Sequence, residues 1–271
     1  ARDHLAGASV GDYALFAGGY TGSAYSAVVD AYDTDLTRST PIALSTARRE
    51  LAGASVGDYA LFAGGYTGSA YSAVVDAYDT DLTRSTPIAL STARRELAGA
   101  SVGDYALFAG GYTGSASSVV DAYDTDLTRT TPTALSVARS DLRAASVGDY
   151  ALFAGGYTGS AYSSVVDAYN SSLVRSTPTA LSRARYMLAG ASVGDYALFA
   201  GGHTGLACSA VVDAYDTDLT RSTPTALSTA RACLAGVSVG GYALFAGGSG
   251  PSLVVDAYSA NLTRTTPTAL S

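Results

Sequence analysis

One segment of the sequence occurs six times, and this repetition limits the possible folds more than any other feature. Residues 5–50 and 51–96 are identical at all 46 positions, and related units begin at Leu97, Leu142, Leu188 and Leu234. A period near 46 residues is too long for one coil of a β-helix, and a β-sandwich has no reason to repeat a whole unit six times. The sequence therefore predicts an array of six similar modules.

Each unit contains four short segments with the character of β-strands. In the first unit these are residues 5–10, 13–17, 27–32 and 36–40. Gly11-Asp12, Gly18-Gly19 and an Asp-Thr-Asp turn at 33–35 separate them, and no period of 3.6 residues is present. Four strands in a repeat of this length are typical of a propeller blade. We therefore predict an all-β, six-bladed β-propeller with four antiparallel strands per blade.

The whole of residues 1–271 is predicted to form one propeller domain. We expect the blades to start near Leu5, Leu51, Leu97, Leu142, Leu188 and Leu234. Both ends of the sequence fall within a junction between units, so each blade should take its four strands from one contiguous stretch. Packing between the first and last blades would then close the ring.

The unit resembles the kelch repeat over nearly the whole chain. Four apolar residues at 14–17 precede Gly18-Gly19, Tyr32-Asp33 matches the later Tyr-Asp of the motif, and Arg48 matches the arginine of the connection. The tryptophan of the family falls near Arg38, and this chain has none. Similar units without tryptophan look like bacterial kelch proteins of unassigned role. The resemblance implies a propeller, and an interaction scaffold far more often than an enzyme.

Two charges are repeated in the outer half of every unit. The aspartates are Asp30, Asp76, Asp121, Asp167, Asp213 and Asp256, and the arginines are Arg38, Arg84, Arg129, Arg175, Arg221 and Arg264. A hairpin centred on Thr34 would place Asp30 directly opposite Arg38. We expect six structural ion pairs across the third and fourth strands.

A second repeated arginine lies in the loop that enters each blade, beside loops that follow the Gly-Gly pairs. Our candidate ligand-binding residues on this loop face are Arg2, Arg48, Arg94, Arg139, Arg185, Arg231, Tyr20, Tyr66, Tyr112, Tyr157 and His203. The arginines would ring the mouth of the central channel and attract anions, or would bond neighbouring carbonyl groups. The strongest variation between units collects on the same face, which carries the tyrosine, arginine and carboxylate residues of a recognition surface.

Little in the sequence supports catalysis, a metal or a cofactor. His4, His203, Cys208 and Cys233 fall in loops of one face, but their spacing matches no metal motif. A disulfide between Cys208 and Cys233 remains open, since sequence does not give its geometry. Two histidines leave few groups for acid–base chemistry, and no nucleophile elbow or phosphate-binding loop is present. We predict no enzyme activity, no metal and no cofactor.

The net charge of −7 argues against nucleic acid as a partner, because nucleic-acid binding needs a basic surface. No run of about 20 apolar residues or targeting segment is present, so we expect a soluble monomer without membrane contact, in an unknown compartment. The favoured hypothesis is a non-catalytic scaffold that binds a protein, a small polar molecule or a carbohydrate at the channel mouth. One alternative is an idealised or engineered repeat protein without an evolved ligand, favoured by the two identical units. The other is a dedicated carbohydrate-binding propeller.

Overall fold

A computed structural model describes residues 1–250 and 252–271. The chain forms two compact units, Ala1–Ser140 and Asp141–Ser271, and each contains three four-stranded sheets. This confirms the prediction of six blades of four antiparallel strands, arranged as a propeller. None of the described residues lies in a helix, and so none of them forms a helix that is long and apolar enough to cross a membrane.

The strands of the first unit are β1 (Ala6–Val10), β2 (Tyr13–Ala17), β3 (Val29–Tyr32), β4 (Arg38–Ser39), β5 (Ala52–Val56), β6 (Tyr59–Ala63), β7 (Val75–Tyr78), β8 (Arg84–Ser85), β9 (Ala98–Val102), β10 (Tyr105–Ala109), β11 (Val120–Tyr123) and β12 (Arg129–Thr130). Those of the second unit are β13 (Arg143–Val147), β14 (Tyr150–Ala154), β15 (Val166–Asn170), β16 (Arg175–Ser176), β17 (Ala189–Val193), β18 (Tyr196–Ala200), β19 (Val212–Tyr215), β20 (Arg221–Ser222), β21 (Ala235–Val239), β22 (Tyr242–Ala246), β23 (Val255–Ser259) and β24 (Arg264–Thr265). Within every sheet the four strands follow one another in chain order. The prediction that each blade uses one contiguous stretch is therefore confirmed.

The third and fourth strands of each blade are shorter than the sequence suggested. β3 begins at Val29, because the carbonyl of Ala27 accepts the N–H of Leu44 from the following junction instead of pairing within the sheet. β4 has only two residues, and Pro41 follows it closely. Proline has no N–H to continue a ladder, so this outer edge strand ends early.

The acidic turn between β3 and β4 is held by its own first residue. Asp33 Oδ1 accepts the N–H groups of Asp35 at 3.0 Å and of Thr37 at 2.8 Å. In the fourth blade Asn170 accepts the corresponding two N–H groups through Oδ1, at 3.0 and 2.9 Å. A carbonyl oxygen in this position is enough for the turn, which explains why asparagine replaces aspartate there.

Within each unit, the second and third blades bury their second-strand phenylalanine against the preceding blade. Phe62 of β6 lies in one apolar cluster with Leu15 and Val29 of the first blade. Phe108 packs in the same way with Leu61 and other residues of the second blade, and Phe199 and Phe245 repeat the arrangement in the second unit. The side chains stabilise the contact by removing a large apolar area from water.

The first strands of neighbouring blades approach each other at backbone distance. A Cβ placed on Gly53 of β5 would lie 2.2 Å from the carbonyl oxygen of Gly7 in β1, so only glycine fits. Beside it, Ser55 Oγ donates to the carbonyl of Ser9 at 2.6 Å, and the Ser55 N–H donates to Ser101 Oγ at 3.2 Å. Small residues in the first strand of the repeat are therefore required for close packing of adjacent blades.

Within each unit, the third-strand tyrosine of the second and third blades is buried and bonded to the preceding blade. Tyr78 and Tyr123 are completely buried, and their hydroxyl groups donate to the carbonyls of Ile42 and Ile88 at 2.8 Å. Burial, and next the neighbouring Asp76 or Asp121, raises the pKa of these two phenols. Burial and a neighbouring aspartate likewise raise the pKa of Tyr215 and Tyr258.

We expect the free energy of unfolding to fall steeply with pH above the ordinary tyrosine pKa of about 10. Each of these four phenols stays protonated in the folded state and ionises when the chain unfolds, so the unfolded state binds fewer protons. The loss is about 1.4 kcal/mol per pH unit for each tyrosine. Absorbance titration of tyrosinate, followed together with circular dichroism, should show one group of tyrosines that ionises only as the strand signal disappears. Complete tyrosine ionisation with an intact strand signal would contradict this.

Candidate functional site

The repeated arginine of each junction lies inside the fold. Arg48, Arg94, Arg139, Arg185 and Arg231 are at most 1% exposed, and Arg2 has 13% of its side chain exposed. The Arg48 guanidinium lies 2.9 Å from Asp76 and donates to the carbonyl of Phe62 at 2.9 Å. Arg94 does the same with Asp121 and Phe108, at 2.8 and 2.9 Å. We therefore leave these arginines out of the binding face and treat them as structural groups.

Four of these arginines, Arg48, Arg94, Arg185 and Arg231, each connect two adjacent blades of one unit. The backbone of Arg48 is bonded to the first blade, where its N–H donates to Ser26 and its carbonyl accepts the N–H of Gly19. Its side chain enters the second blade and ends at Asp76. Burial of Arg48 lowers the pKa of its guanidinium, and the opposing charge of Asp76 counters this effect. The positive charge is thus held in the interior by one carboxylate.

That carboxylate also meets the outer arginine of its own blade, as predicted. The six distances between the outer arginines and their aspartates run from 2.9 Å for Arg221–Asp213 to 3.7 Å for Arg84–Asp76 and Arg129–Asp121. The expected pairing was wrong by two residues, because Arg38 pairs with Tyr32 rather than with Asp30. The hairpin is centred on Asp35, so Arg38 reaches Asp30 diagonally.

Replacing Arg94 with alanine should destabilise the fold by about 3–5 kcal/mol, because Asp121 would be left in the interior without its main partner. The matched control is Arg129→Ala, which removes the outer and more exposed arginine from the same carboxylate. Its cost should stay below about 1.5 kcal/mol, the scale of one hydrogen bond. Chemical denaturation of both variants measures the difference. Equal costs would show that the buried arginine has no special role.

The tyrosines of the first unit form a continuous row on the loop face, which we call the tyrosine row. Successive ring centroids are 5.3 Å apart for Tyr20–Tyr25, 5.9 Å for Tyr25–Tyr66, 5.9 Å for Tyr66–Tyr71 and 5.8 Å for Tyr71–Tyr112. Neighbouring rings meet edge to face or at a tilt, which is the favoured geometry of aromatic pairs. All five side chains are partly exposed. The row spans three blades and offers an aromatic surface to a ligand.

Two arginines cover the tyrosine row. The guanidinium carbon of Arg49 lies 5.2 Å from the ring centre of Tyr20, and that of Arg95 lies 5.4 Å from those of Tyr66 and Tyr112. Glu50 bridges the two arginines, with distances of 3.2 Å to Arg49 and 2.8 Å to Arg95. These arginines therefore have carboxylate partners, so the face combines aromatic surface with balanced charge.

Backbone bridges bring the variable loops together at one end of four of the blades. Asp3 pairs with Tyr20, Arg49 with Tyr66, Arg95 with Tyr112, and Tyr186 with His203. This confirms that the junction that carries the arginine and the loop after Gly-Gly lie at the same end. A close approach shapes the row, since a Cβ on Gly68 would lie 2.5 Å from the Tyr25 ring. The Gly-Gly and Thr-Gly-Ser loops thus let rings of adjacent blades interlock.

The second unit carries a different set of groups at the equivalent positions. Tyr162 and Tyr186 stack with centroids 4.7 Å apart and an interplanar angle of 16°, and Tyr157 and His203 lie 6.4 and 5.9 Å from Tyr186. Tyr186 occupies the place of Arg49 and Arg95. Its own burial, and next Tyr162, raises the pKa of the Tyr186 phenol. This cluster is aromatic without arginine.

Both cysteines are free, so the structure holds no disulfide between them. Cys233 Sγ lies 3.4 Å from Met187 Sδ, and Cys208 Sγ lies 3.5 Å from Ser249 Oγ. Burial raises the pKa of the Cys233 thiol, which favours the protonated form over the thiolate that binds metals. His4 is exposed beside Asp3, and no group of three metal-ligating His, Cys, Asp or Glu residues occurs within the described part of the chain.

Several residues of the loop face were missing from the candidate residues named from sequence. Tyr25, Tyr71 and Tyr162 complete the aromatic clusters, and Arg49 and Arg95 cover the tyrosine row. In the sequence, the feature that could have identified these residues is that their positions vary between otherwise constant units. The more constant junction arginines proved to be the buried ones.

No known protein family matches the sequence, and no curated protein is similar to it. The fold is similar to a solved structure of YjhT, with a TM-score of 0.78 at 12% sequence identity. The similarity covers 98% of this chain and 97% of YjhT. At this identity the comparison shows the six-bladed propeller fold alone.

Proposed function

We propose that the protein is a non-catalytic binding module of the kelch type that recognises its partner through the tyrosine row. The observation that carries this proposal is the unbroken series of five partly exposed tyrosines covered by Arg49 and Arg95. Tyrosine and arginine are the residue types that dominate binding energy at protein interfaces. Both present a large contact area that loses little conformational freedom on binding, in particular where neighbouring rings already fix them.

The side chains on this face and the pairing of their charges also favour binding over catalysis. The two arginines are compensated by Glu50 and Glu96, and Arg95 lies 3.4 Å from Glu96. The tyrosine row itself contains no histidine or cysteine, and its carboxylates are already engaged by arginine. Such a set of groups suits a neutral or mixed-charge partner, and we propose a protein as that partner.

A carbohydrate is a second candidate, supported by the stacked pair Tyr162 and Tyr186 in the second unit. These rings lie nearly parallel, with His203 at the edge of Tyr186. Partly exposed aromatic faces beside polar hydrogen-bonding groups provide both the apolar contact and the polar contact that small polar ligands need.

A paired screen tests the proposal. Peptides displayed on phage are selected against the immobilised protein, and a glycan array is probed with the same preparation. We expect an enriched peptide whose affinity falls by about 30-fold in Tyr66→Ala, as for a residue at the centre of an interface. The matched control is Ile88→Ala, which truncates an exposed side chain in the same blade away from the tyrosine row.

The outcomes separate the candidates. Glycan binding that is lost in Tyr162→Ala and kept in Tyr66→Ala would favour the carbohydrate hypothesis. Equal losses in Tyr66→Ala and Ile88→Ala would exclude the tyrosine row as the binding face. An absence of ligands in both screens would favour a repeat protein without an evolved ligand.

A further inference from the structure

The rings of the tyrosine row hold cations that belong to the chain itself. The guanidinium carbon of Arg95 lies within 5.8 Å of three ring centres, those of Tyr66, Tyr71 and Tyr112. At such distances the negative face of an aromatic ring attracts a positive charge. Glu50 accepts a hydrogen bond from the same guanidinium at 2.8 Å. In the first unit, three rings and a carboxylate thus form a site for a guanidinium group.

The second unit keeps the same framework of rings at the equivalent positions. Tyr157 Oη donates to the carbonyl of Gly159 at 2.8 Å, a bond that the tyrosine row repeats at 2.7 Å. Tyr162 packs so closely on the following loop that a Cβ on Gly205 would lie 2.3 Å from its ring. His203 Nδ1 accepts the N–H of Gly205 at 2.9 Å, which requires the neutral form of the ring. These rings are therefore fixed before a ligand binds, and none of them repels a cation.

The second unit lacks the arginine that covers the rings in the first. Tyr186 occupies the place of Arg95, and its ring lies 4.7 Å from that of Tyr162 and 5.9 Å from that of His203. We call Tyr157, Tyr162, Tyr186 and His203 the second-unit cluster, and all four are partly exposed. Within the described chain, no arginine lies over the rings of this cluster. The rings are thus available to a cation from outside.

A carboxylate accompanies the second-unit cluster, as Glu50 accompanies Arg95. Asp141 has the position in the repeat that Glu50 has in the first unit. Burial, then Tyr162 and then Asp141 raise the pKa of the Tyr186 phenol, and no arginine is among the causes. The local field at this ring therefore disfavours a negative charge and favours a positive one.

An exposed leucine extends the second-unit cluster. Leu206 follows Gly205, the residue that packs on Tyr162, and it is 97% exposed. The corresponding loops of the first, second and fourth blades have serine at this position. Exposed apolar surface beside aromatic rings is typical of surfaces that bind proteins. This favours a partner protein over a free small molecule as the source of the cation.

We propose that the second-unit cluster binds an arginine side chain of a partner protein. The guanidinium packs against the partly exposed rings, and Asp141 favours its charge. An arginine suits this site better than a lysine, because its planar guanidinium stacks on aromatic rings and because the first unit holds a guanidinium in the same framework. This inference goes beyond the proposed binding through the tyrosine row, since it concerns the other unit. It also assigns these rings to a cation instead of a carbohydrate.

A titration of the full chain, followed by nuclear magnetic resonance of isotope-labelled tyrosine rings, tests the proposal. The probe is N-acetyl-arginine amide, and the control is N-acetyl-citrulline amide, which has a similar shape without the charge. We expect the probe to shift the ring signals of Tyr157, Tyr162 and Tyr186 and to saturate in the millimolar range, as for contacts of a single side chain. Citrulline should leave them unchanged. The signals of Tyr66 and Tyr71 should not move, because Arg95 already covers those rings.

Two exchanged variants place the same test on both units. Tyr186→Arg gives the second unit a cation of its own and should weaken binding of the probe by at least about tenfold. The reciprocal Arg95→Tyr should make the ring signals of Tyr66 and Tyr112 respond to the probe. A short peptide with leucine beside its arginine should bind the unmodified chain about fivefold more tightly than the amide does. Leu206→Ser, which restores the residue of the other loops, should remove this gain alone.

Equal shifts with arginine and citrulline would overturn the proposal, as would a glycan that shifts the second-unit cluster when the arginine probe does not. Unweakened binding in Tyr186→Arg would also contradict it. Equal affinity for the amide and the peptide would overturn a protein as the source of the cation. Thermal unfolding checks that each variant is folded. If a variant fails to fold, the comparison of the two sets of rings in the unmodified protein decides, and its outcome does not depend on whether the tyrosine row binds a partner.

Discussion

The ion pair of a third-strand carboxylate, fully buried in five of the six blades, is the interaction on which the rest of the structure depends. Asp121 pairs with Arg94, which enters from the preceding junction, and accepts the N–H of Ser91 from the same junction. It also lies 3.7 Å from Arg129 of its own hairpin. A charge taken out of water is costly unless its partners replace the lost hydration. The fold satisfies this requirement only when two adjacent blades are correctly joined.

This arrangement separates the supporting structure from the recognition surface. The arginine, aspartate, tyrosine and phenylalanine that connect blades are kept in all six units, and they fix the start of every junction. The next positions, such as Arg49 and Tyr186, are free to differ, because their side chains project onto the loop face. A rigid backbone with variable loop residues is a common basis for binding surfaces. In this protein it produces an arginine-covered tyrosine row in one unit and a stacked tyrosine cluster in the other.

The fold could be predicted from sequence because the same pattern recurs six times. Tyr13–Ala17 was located to the residue, since an apolar run between Gly-Asp and Gly-Gly leaves no other choice. The fourth strand was overestimated, because Pro41 shortens it and the preceding Leu36 adopts a positive φ of 60°. The sequence left open whether the junction arginines face the channel mouth or bond carbonyl groups, since repetition alone does not distinguish a ligand-binding arginine from one that pairs with a buried carboxylate. Interlocking of Tyr25 with Tyr66 joins residues 41 positions apart, and no local pattern encodes that contact.

Hydrogen exchange at single amides tests most directly whether the carboxylate holds adjacent blades together. The Ser91 N–H, bonded to Asp121, should exchange slowly in the unmodified protein. In Asp121→Ala its exchange should accelerate much more than that of the Ser45 N–H, whose partner Asp76 is unchanged. Ser45 thus reports any general loss of stability. Unchanged exchange at Ser91, or an equal acceleration at both serines, would contradict the account.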